Sequence, residues 1–196
     1  MYRIITIERP YASGGNEIGR KLAEALGYKL FDRNILTEAS KNLDMPAIYI
    51  NNLDETSSGS LFFNLSKTAR NESYLPMAEK LFAEEKRIIE KAASEGGCVI
   101  VGRAAGYILR DRKDCLRVFV RADNEFRIQR AIEKEGIDRI DAENTIKKND
   151  KRRRGFYDFV TDWKWGDPEF FEVYLDSSKL GIDLCVKLLA EAVSQG

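Results

Sequence analysis

Five short apolar runs, each set off from the next by helical patterns, imply an α/β domain of three layers: a doubly wound, parallel, five-stranded sheet with helices on both faces. The runs are Ile4–Ile7, Tyr28–Phe31, Cys98–Val101, Leu116–Val120 and Val173–Leu175. Most are continuous rather than alternating, as strands covered on both faces of a parallel sheet are. The first enters Ser13-Gly14-Gly15 and then an amphipathic helix, an order of parts that turns backbone N–H groups onto an anion. Repeated strand–helix alternation builds βαβ units, and ligands of such sheets sit beyond the carboxyl ends of the strands. Candidate site residues therefore follow the strands: Arg9 to Asn16, Asp32 to Asn34, Gly102-Arg103, Arg121, and Asp176 to Ser178.

Taken in order, the first helix carries Ile18, Leu22, Ala25 and Leu26 on one stripe and stops at Gly27, a residue suited to the left-handed position past a helix end. From about 34 to 95 the pattern is helical without a good strand, and it contains the polar stretch Thr56-Ser57-Ser58-Gly59-Ser60. A helical insertion on one side of the sheet is expected there. A second irregular region runs from about 137 to 168. Its first half is a basic helix, and its second half, Phe156 to Asp167, is aromatic and lacks clear periodicity, which suits a mobile flap. The last helix is entered through Gly181-Ile182-Asp183 and places Leu184, Leu188 and Leu189 at helical spacing.

Composition excludes several chemistries. The 196 residues suit a single domain, and 32 basic against 32 acidic residues leave no net field toward nucleic acid or membrane. Absence of histidine removes Ser-His-Asp and Cys-His nucleophiles and imidazole acid–base work. Cys98, Cys115 and Cys185 are far apart and form no metal-ligand spacing; Cys98 and Cys185 lie in apolar runs and are expected as buried thiols. Met1-Tyr2-Arg3 leads straight into a strand with no signal-peptide core, and no apolar run approaches the ~20 residues of a membrane span. A soluble, cytoplasmic protein is expected.

Ser13-Gly14-Gly15-x-Glu17-Ile18-Gly19, Phe31-Asp32, Val101-Gly102-Arg103, Asp150-Lys151-x-Arg153 and Leu175-Asp176-Ser177-Ser178 follow one another across nearly the whole chain. In that order and spacing they resemble the cytidylate kinase-like family, a monophosphate-kinase branch of the P-loop NTPases. The resemblance implies one kinase-like domain over residues 1–196, with the segment of about 34–95 binding the acceptor and about 138–168 forming a lid. It also implies ATP as donor, with Mg²⁺ carried on the nucleotide, and a small phosphorylated acceptor.

Against true cytidylate kinases the first loop aligns from Pro10 to Leu26 without a gap, which puts Gly15 where their lysine stands and Glu17 where their hydroxyl stands. A register using Gly14, Gly19 and Lys21 supplies a base but buries the second glycine inside the helix. Arg20, one turn beyond Asn16, can lean back toward a phosphate in place of the lysine, or can be a solvated surface arginine. Glu17 either holds Mg²⁺ through water or is a first-turn acid complementing the helix dipole.

By resemblance the amides of Ser13, Gly14, Gly15 and Asn16 cradle donor phosphates, while Ser177 and Ser178 border the donor base or merely cap a turn. Asp32 and Arg103 bind the acceptor; Asp32 also suits a helix cap, and Arg103 a structural ion pair. Gly106 stands where relatives often carry an acid. Residues 147–154 hold six bases in eight positions, and their place before an aromatic segment suits a lid that brings cations onto a transferring phosphate. Within it Arg153 and Asp150 match the family's lid, while Arg152 and Arg154 are expected to face solvent. Arg127 and Arg130 are weaker candidates, with ion pairs to Glu133 or Glu125 as the plainer role. Three functions remain open from the sequence: γ-phosphate transfer from ATP to CMP or dCMP, a nucleotide-binding module without transfer, and a kinase for a non-nucleotide acceptor. Nucleic-acid binding through the basic run ranks behind them.

Overall fold

The computed structural model describes residues 2–45 and 75–195. Its five strands, β1 (Ile4–Glu8), β2 (Lys29–Phe31), β3 (Cys98–Val101), β4 (Cys115–Arg121) and β5 (Val173–Asp176), form one sheet in the order β2-β3-β1-β4-β5. Every pairing is parallel, with Ile5 opposite Val99 on one side of β1 and opposite Leu116 on the other. β1 is therefore central, and all five of its residues are buried.

Alternation along the strands divides the core into two layers. Ile4, Cys98 and Ile100 face one side, where α2 (Asn34–Asn42) and α3 (Leu75–Glu95) cover them through Ile35, Leu36, Leu81 and Ile89. Ile5, Ile7, Val99, Val118 and Val120 face the other, under α1 (Gly15–Leu26) and α8 (Ile182–Gln195). The short α4 (Ala105–Ile108) follows β3, and α5 (Asn124–Glu133) follows β4. The long α6 (Ala142–Val160) packs on α5 through Ala131, Ala142 and Ile146, and the short α7 (Ser177–Leu180) follows β5.

The expected strands all form, with ends that differ by a residue. The helical stripes differ more. In α1 Ala23 is buried and Ala25 exposed, because the sheet-facing set is Ile18, Leu22 and Ala23. In α8 the buried positions are Cys185, Leu189 and Val193, while Leu184 and Leu188 are each 44% exposed. A helix with more leucines than one stripe can hold must leave some outside.

α2 and α3 belong to the expected insertion; Thr56 to Ser60 lie outside the described residues. Phe156 to Val160, read as the start of an irregular flap, continues α6 as helix. The rest of the aromatic segment is docked: Trp163 stacks on Phe170 with centroids 4.6 Å apart, and Trp165 meets Phe119 edge-on at 5.8 Å. Arg152 corrects another expectation, since it is buried at 6% exposure, whereas Arg154 is exposed. All three cysteines are buried free thiols, and burial pushes Cys98 up to about 11 and Cys115 to about 12. Among the described residues no helix is long and apolar enough to cross a membrane.

Candidate active site

A cavity of about 830 Å³ opens at the carboxyl end of the central strands. Arg9 through Glu17 form one wall, Asp32, Arg33 and Arg103 another, and Asn149 and Arg153 of α6 a third. Cations dominate: Arg9, Arg20, Arg33, Arg103, Arg130, Lys134 and Arg153 border it against Glu17, Asp32 and Glu135. A chain without net charge thus concentrates positive charge where the fold gathers its strand ends, which suits a polyanionic ligand.

The loop after β1 is built for backbone donation. Gly14 takes φ 84° and caps α1 with no side-chain bond, and the first residues of the helix, Gly15 to Glu17, line the cavity. Ser13 is fully buried and works beneath the loop: its Oγ donates to Pro10 O at 3.0 Å. Ser177 Oγ lies 2.6 Å from Ser13 O and 3.0 Å from Arg121 O, one proton serving two carbonyls. Ser177 therefore braces the loop from the end of β5. Ser178 accepts from the Asp123 N–H at 3.2 Å and, through its own N–H, donates to Asp176 Oδ1 at 3.1 Å. Neither serine borders the cavity, and both tie turns together.

Asp150 and Arg153 reach the loop from α6, but with roles the motif does not reveal. Asp150 Oδ1 accepts the Tyr11 N–H at 2.7 Å, and its Oδ2 pairs with Arg127 Nη2, whose Nε donates to Tyr11 O at 2.8 Å. The Tyr11 peptide is thereby held at both ends by a buried cation and the carboxylate paired to it. Arg153 Nη1 donates to Arg9 O at 3.1 Å and its guanidinium lies 5.7 Å from the Tyr11 ring centre. Asp150 is thus an anchor of the loop, while Arg153, 5% exposed, keeps an edge on the cavity.

Glu17 is neither free nor solvent-bound. Arg130 Nη2 donates to its Oε2 at 2.7 Å and Lys21 sits 3.5 Å from its Oε1, so the Arg130 hydrogen bond holds the carboxyl below its ordinary value. Arg127 and Arg130 do form ion pairs, but with Asp150 and Glu17, not with Glu133 or Glu125. Arg20 borders the cavity mouth, yet its Nη1 bonds Glu24 at 2.9 Å and its side chain is 53% exposed.

On the opposite wall Asp32 Oδ1 accepts the Asn34 N–H at 3.3 Å in the turn before α2 and lines the cavity; the cap position expected for Asp32 falls on Arg33, which makes no side-chain cap bond. Arg103 is buried at 3%, pairs with the fully buried Glu85 of α3 and lies 4.5 Å from the Phe156 ring centre. It sits in a turn where Gly102, Arg103 and Ala104 have φ 80°, 58° and 52°. Left-handed backbone at a non-glycine costs about 1–3 kcal/mol, and such strain persists only where packing over-determines it. Gly106 lies beneath this turn, its ideal Cβ 3.2 Å from Thr6 Oγ1.

Sequence reasoning missed Glu85 and gave Arg9 no role beyond its place in the candidate stretch Arg9 to Asn16. Glu85 carries a signal, a carboxylate on the apolar stripe of Leu81, Ile88, Ile89 and Ala92. Arg9 was visible only as the residue after β1; its Nε donates to Asn16 Oδ1 at 2.9 Å within the cavity wall. Among the described residues no group of three or more Cys, Asp or Glu is placed to hold a metal.

A parallel sheet in this order, with a glycine loop between its central strand and the first helix, is the fold of P-loop kinases. Residues 4–179 match the model of the cytidylate kinase-like family, and the chain belongs to that family. It is 25% identical over 199 residues to a cytidylate kinase of Methanopyrus kandleri, covering 97% of this chain and 92% of that protein. An uncharacterized protein from Eubacterium ventriosum of solved structure superposes with TM-score 0.75 at 25% identity, over 98% of this chain and 99% of that one. Shikimate kinase from Acinetobacter baumannii, solved with shikimate, shares the fold at TM-score 0.55 and 15% identity, over 100% of this chain and 95% of that one.

Proposed function

We propose that the chain is a cytoplasmic, ATP-dependent phosphotransferase that moves the γ-phosphate to a nucleoside monophosphate, CMP or dCMP being the simplest acceptors. One observation carries this reading: the glycine loop after β1 and Arg103 of the Gly102–Ala104 turn line one arginine-rich cavity. Phosphoryl transfer asks little covalent chemistry of a protein. It asks for two substrates held in line and for positive charge on the equatorial oxygens.

In this reading the amides from Ser13 to Asn16 cradle the donor phosphates. Arg103 and Asp32 hold the acceptor, and Arg153 acts from the segment of about 138–168 as lid. The segment of about 34–95 closes the acceptor side. Mg²⁺ travels with the nucleotide and spreads the charge of its phosphates; Glu17 and Asp150 are already bonded to protein cations. Incubating purified protein with Mg-ATP and a panel of nucleoside monophosphates, and following ADP, is the direct test. ADP formed only with a non-nucleotide phosphate acceptor would reassign the acceptor while keeping the transfer.

Gly15 favours a second reading, a nucleotide-binding module without transfer, because no side chain at that position can reach the outer phosphates. Tight nucleotide binding with no ADP above background would establish it.

A further inference from the structure

The geometry points to Arg9 as the cation that takes the place of the missing lysine, entering the phosphate loop from its first position instead of its last. This inference rests on the loop's being a phosphate site.

In a complete loop, G-x-x-x-x-G-K, the first residue has no side chain and the lysine follows the last glycine. With Gly14-Gly15 on the final pair, the first glycine falls on Arg9. The chain has therefore exchanged the two ends: a long cation where the glycine was, and a glycine where the cation was. The structure shows why the exchange is reciprocal. An ideal Cβ at Gly15 would lie 2.7 Å from Arg9 Cβ and 2.9 Å from Arg9 Cγ. These are atoms at the root of the arginine, and the Cβ, fixed by the backbone, cannot swing aside by any rotation of the side chain. The stem of Arg9 fills the path that a side chain at 15 would need.

A second glycine clears the other end. A Cβ at Gly102 would overlap Arg9 Nη1 and lie 3.0 Å from its Cζ, so the guanidinium rests against bare backbone where β3 ends. It therefore lies between the loop proposed for the donor and the turn that carries Arg103. Its Nε is held by Asn16 Oδ1 at 2.9 Å, in the first turn of α1, and the residue is 5% exposed. Such a group is ordered before ligand arrives, whereas the Arg20 side chain is 53% exposed and hydrogen-bonded to Glu24 at the surface. A guanidinium also presents a planar fork of N–H groups that can span two phosphate oxygens, as a lysine cannot. The position between donor loop and acceptor turn suits the outer phosphates of the donor.

The test is calorimetric titration of the full chain with Mg-ATP, for wild type and for Arg9→Gly, Gly15→Lys and the double variant. Arg9→Gly is expected to weaken binding ~10-fold or more, the loss of a charge-assisted contact. Gly15→Lys alone is expected to bind poorly, because its stem meets Arg9. The double variant, with the cation returned to the other end, is expected to recover most of what Arg9→Gly loses. Arg9→Lys keeps the stem and loses the fork; it is expected to melt as wild type does and still bind more weakly, which separates function from folding. Unchanged affinity in Arg9→Gly or Arg9→Lys, or a double variant no better than Arg9→Gly, would overturn the assignment. A wild-type chain that binds no nucleotide overturns the phosphate-loop reading itself, and with it this one.

Discussion

Arg103 is paired with Glu85, and the proposed function asks the same guanidinium to hold the acceptor. Its pairing with Glu85 is buried on both sides. Replacing one member of such a pair strands the other at a cost of about 3–5 kcal/mol, whereas replacing both by apolar groups is often near neutral. Urea unfolding should therefore show Arg103→Met strongly destabilised and Arg103→Met/Glu85→Leu largely restored. If Arg103 also holds the acceptor, the restored double variant stays unable to bind CMP, and calorimetry separates the two roles. Glu17 gives a pH signature. Its folded carboxyl is held below the usual 4.5 by Arg130, so its stabilising contribution is complete above about 4.5 and disappears as pH falls through the folded value. Glu17→Gln should flatten that part of the acid-side stability profile while the wild type loses stability there. At this scale the sequence was half legible. Ser13, Asp32, Arg103 and Arg153 could be nominated from strand ends and motif order, but their partners could not. Arg127 lies 23 residues from Asp150, and Glu85 lies 18 from Arg103. The partners lie on different elements, so no helical or strand period relates them; packing of α5 on α6, and of α3 on the turn after β3, brings them together.

Among the elements, α6 decides most. It presents Asp150 and Arg153 to the loop and buries Arg152 and Phe156 behind them. A basic run of this kind usually reads as a solvated face, and the periodicity alone does not say which arginine turns inward. The clamp on Tyr11 predicts a definite result. Asp150→Ala removes the acceptor of the Tyr11 N–H and leaves Arg127 buried without its carboxylate, so a loss of about 2 kcal/mol or more is expected in denaturant unfolding. Nucleotide affinity should fall with it, because the loop loses one of its supports; the bonds of Ser177 to Ser13 O and of Arg153 to Arg9 O remain. The strands were read nearly residue for residue, since continuous Ile/Val runs leave little choice of state. Helix faces were read less well. In α1 and α8 several apolar residues compete for one stripe, and the neighbour across the interface selects which are covered.

For the whole molecule, the test is linkage between ligand and stability. A ligand present at about 100 times its dissociation constant adds about 2.7 kcal/mol to the folded state, which is worth roughly 5–10 °C of melting temperature in a domain of this size. Mg-ATP and CMP should each raise the melting temperature, and the pair together should raise it further if donor and acceptor fill one cavity. A flat response to every nucleotide would count against the proposed function. Wholly from its own residues the chain determined its fold class, the order of its strands and helices, and the end of the sheet where the cavity opens. Those properties follow from local hydrophobic pattern and from the general rule that parallel sheets bind ligands at their carboxyl edge. Tertiary structure alone decided which cation is buried against the loop. The choice between Arg9 and Arg20 turns on the absent Cβ atoms of Gly15 and Gly102 and on the bond from Asn16. Close approach between β1, α1 and β3 exists only once the sheet has formed.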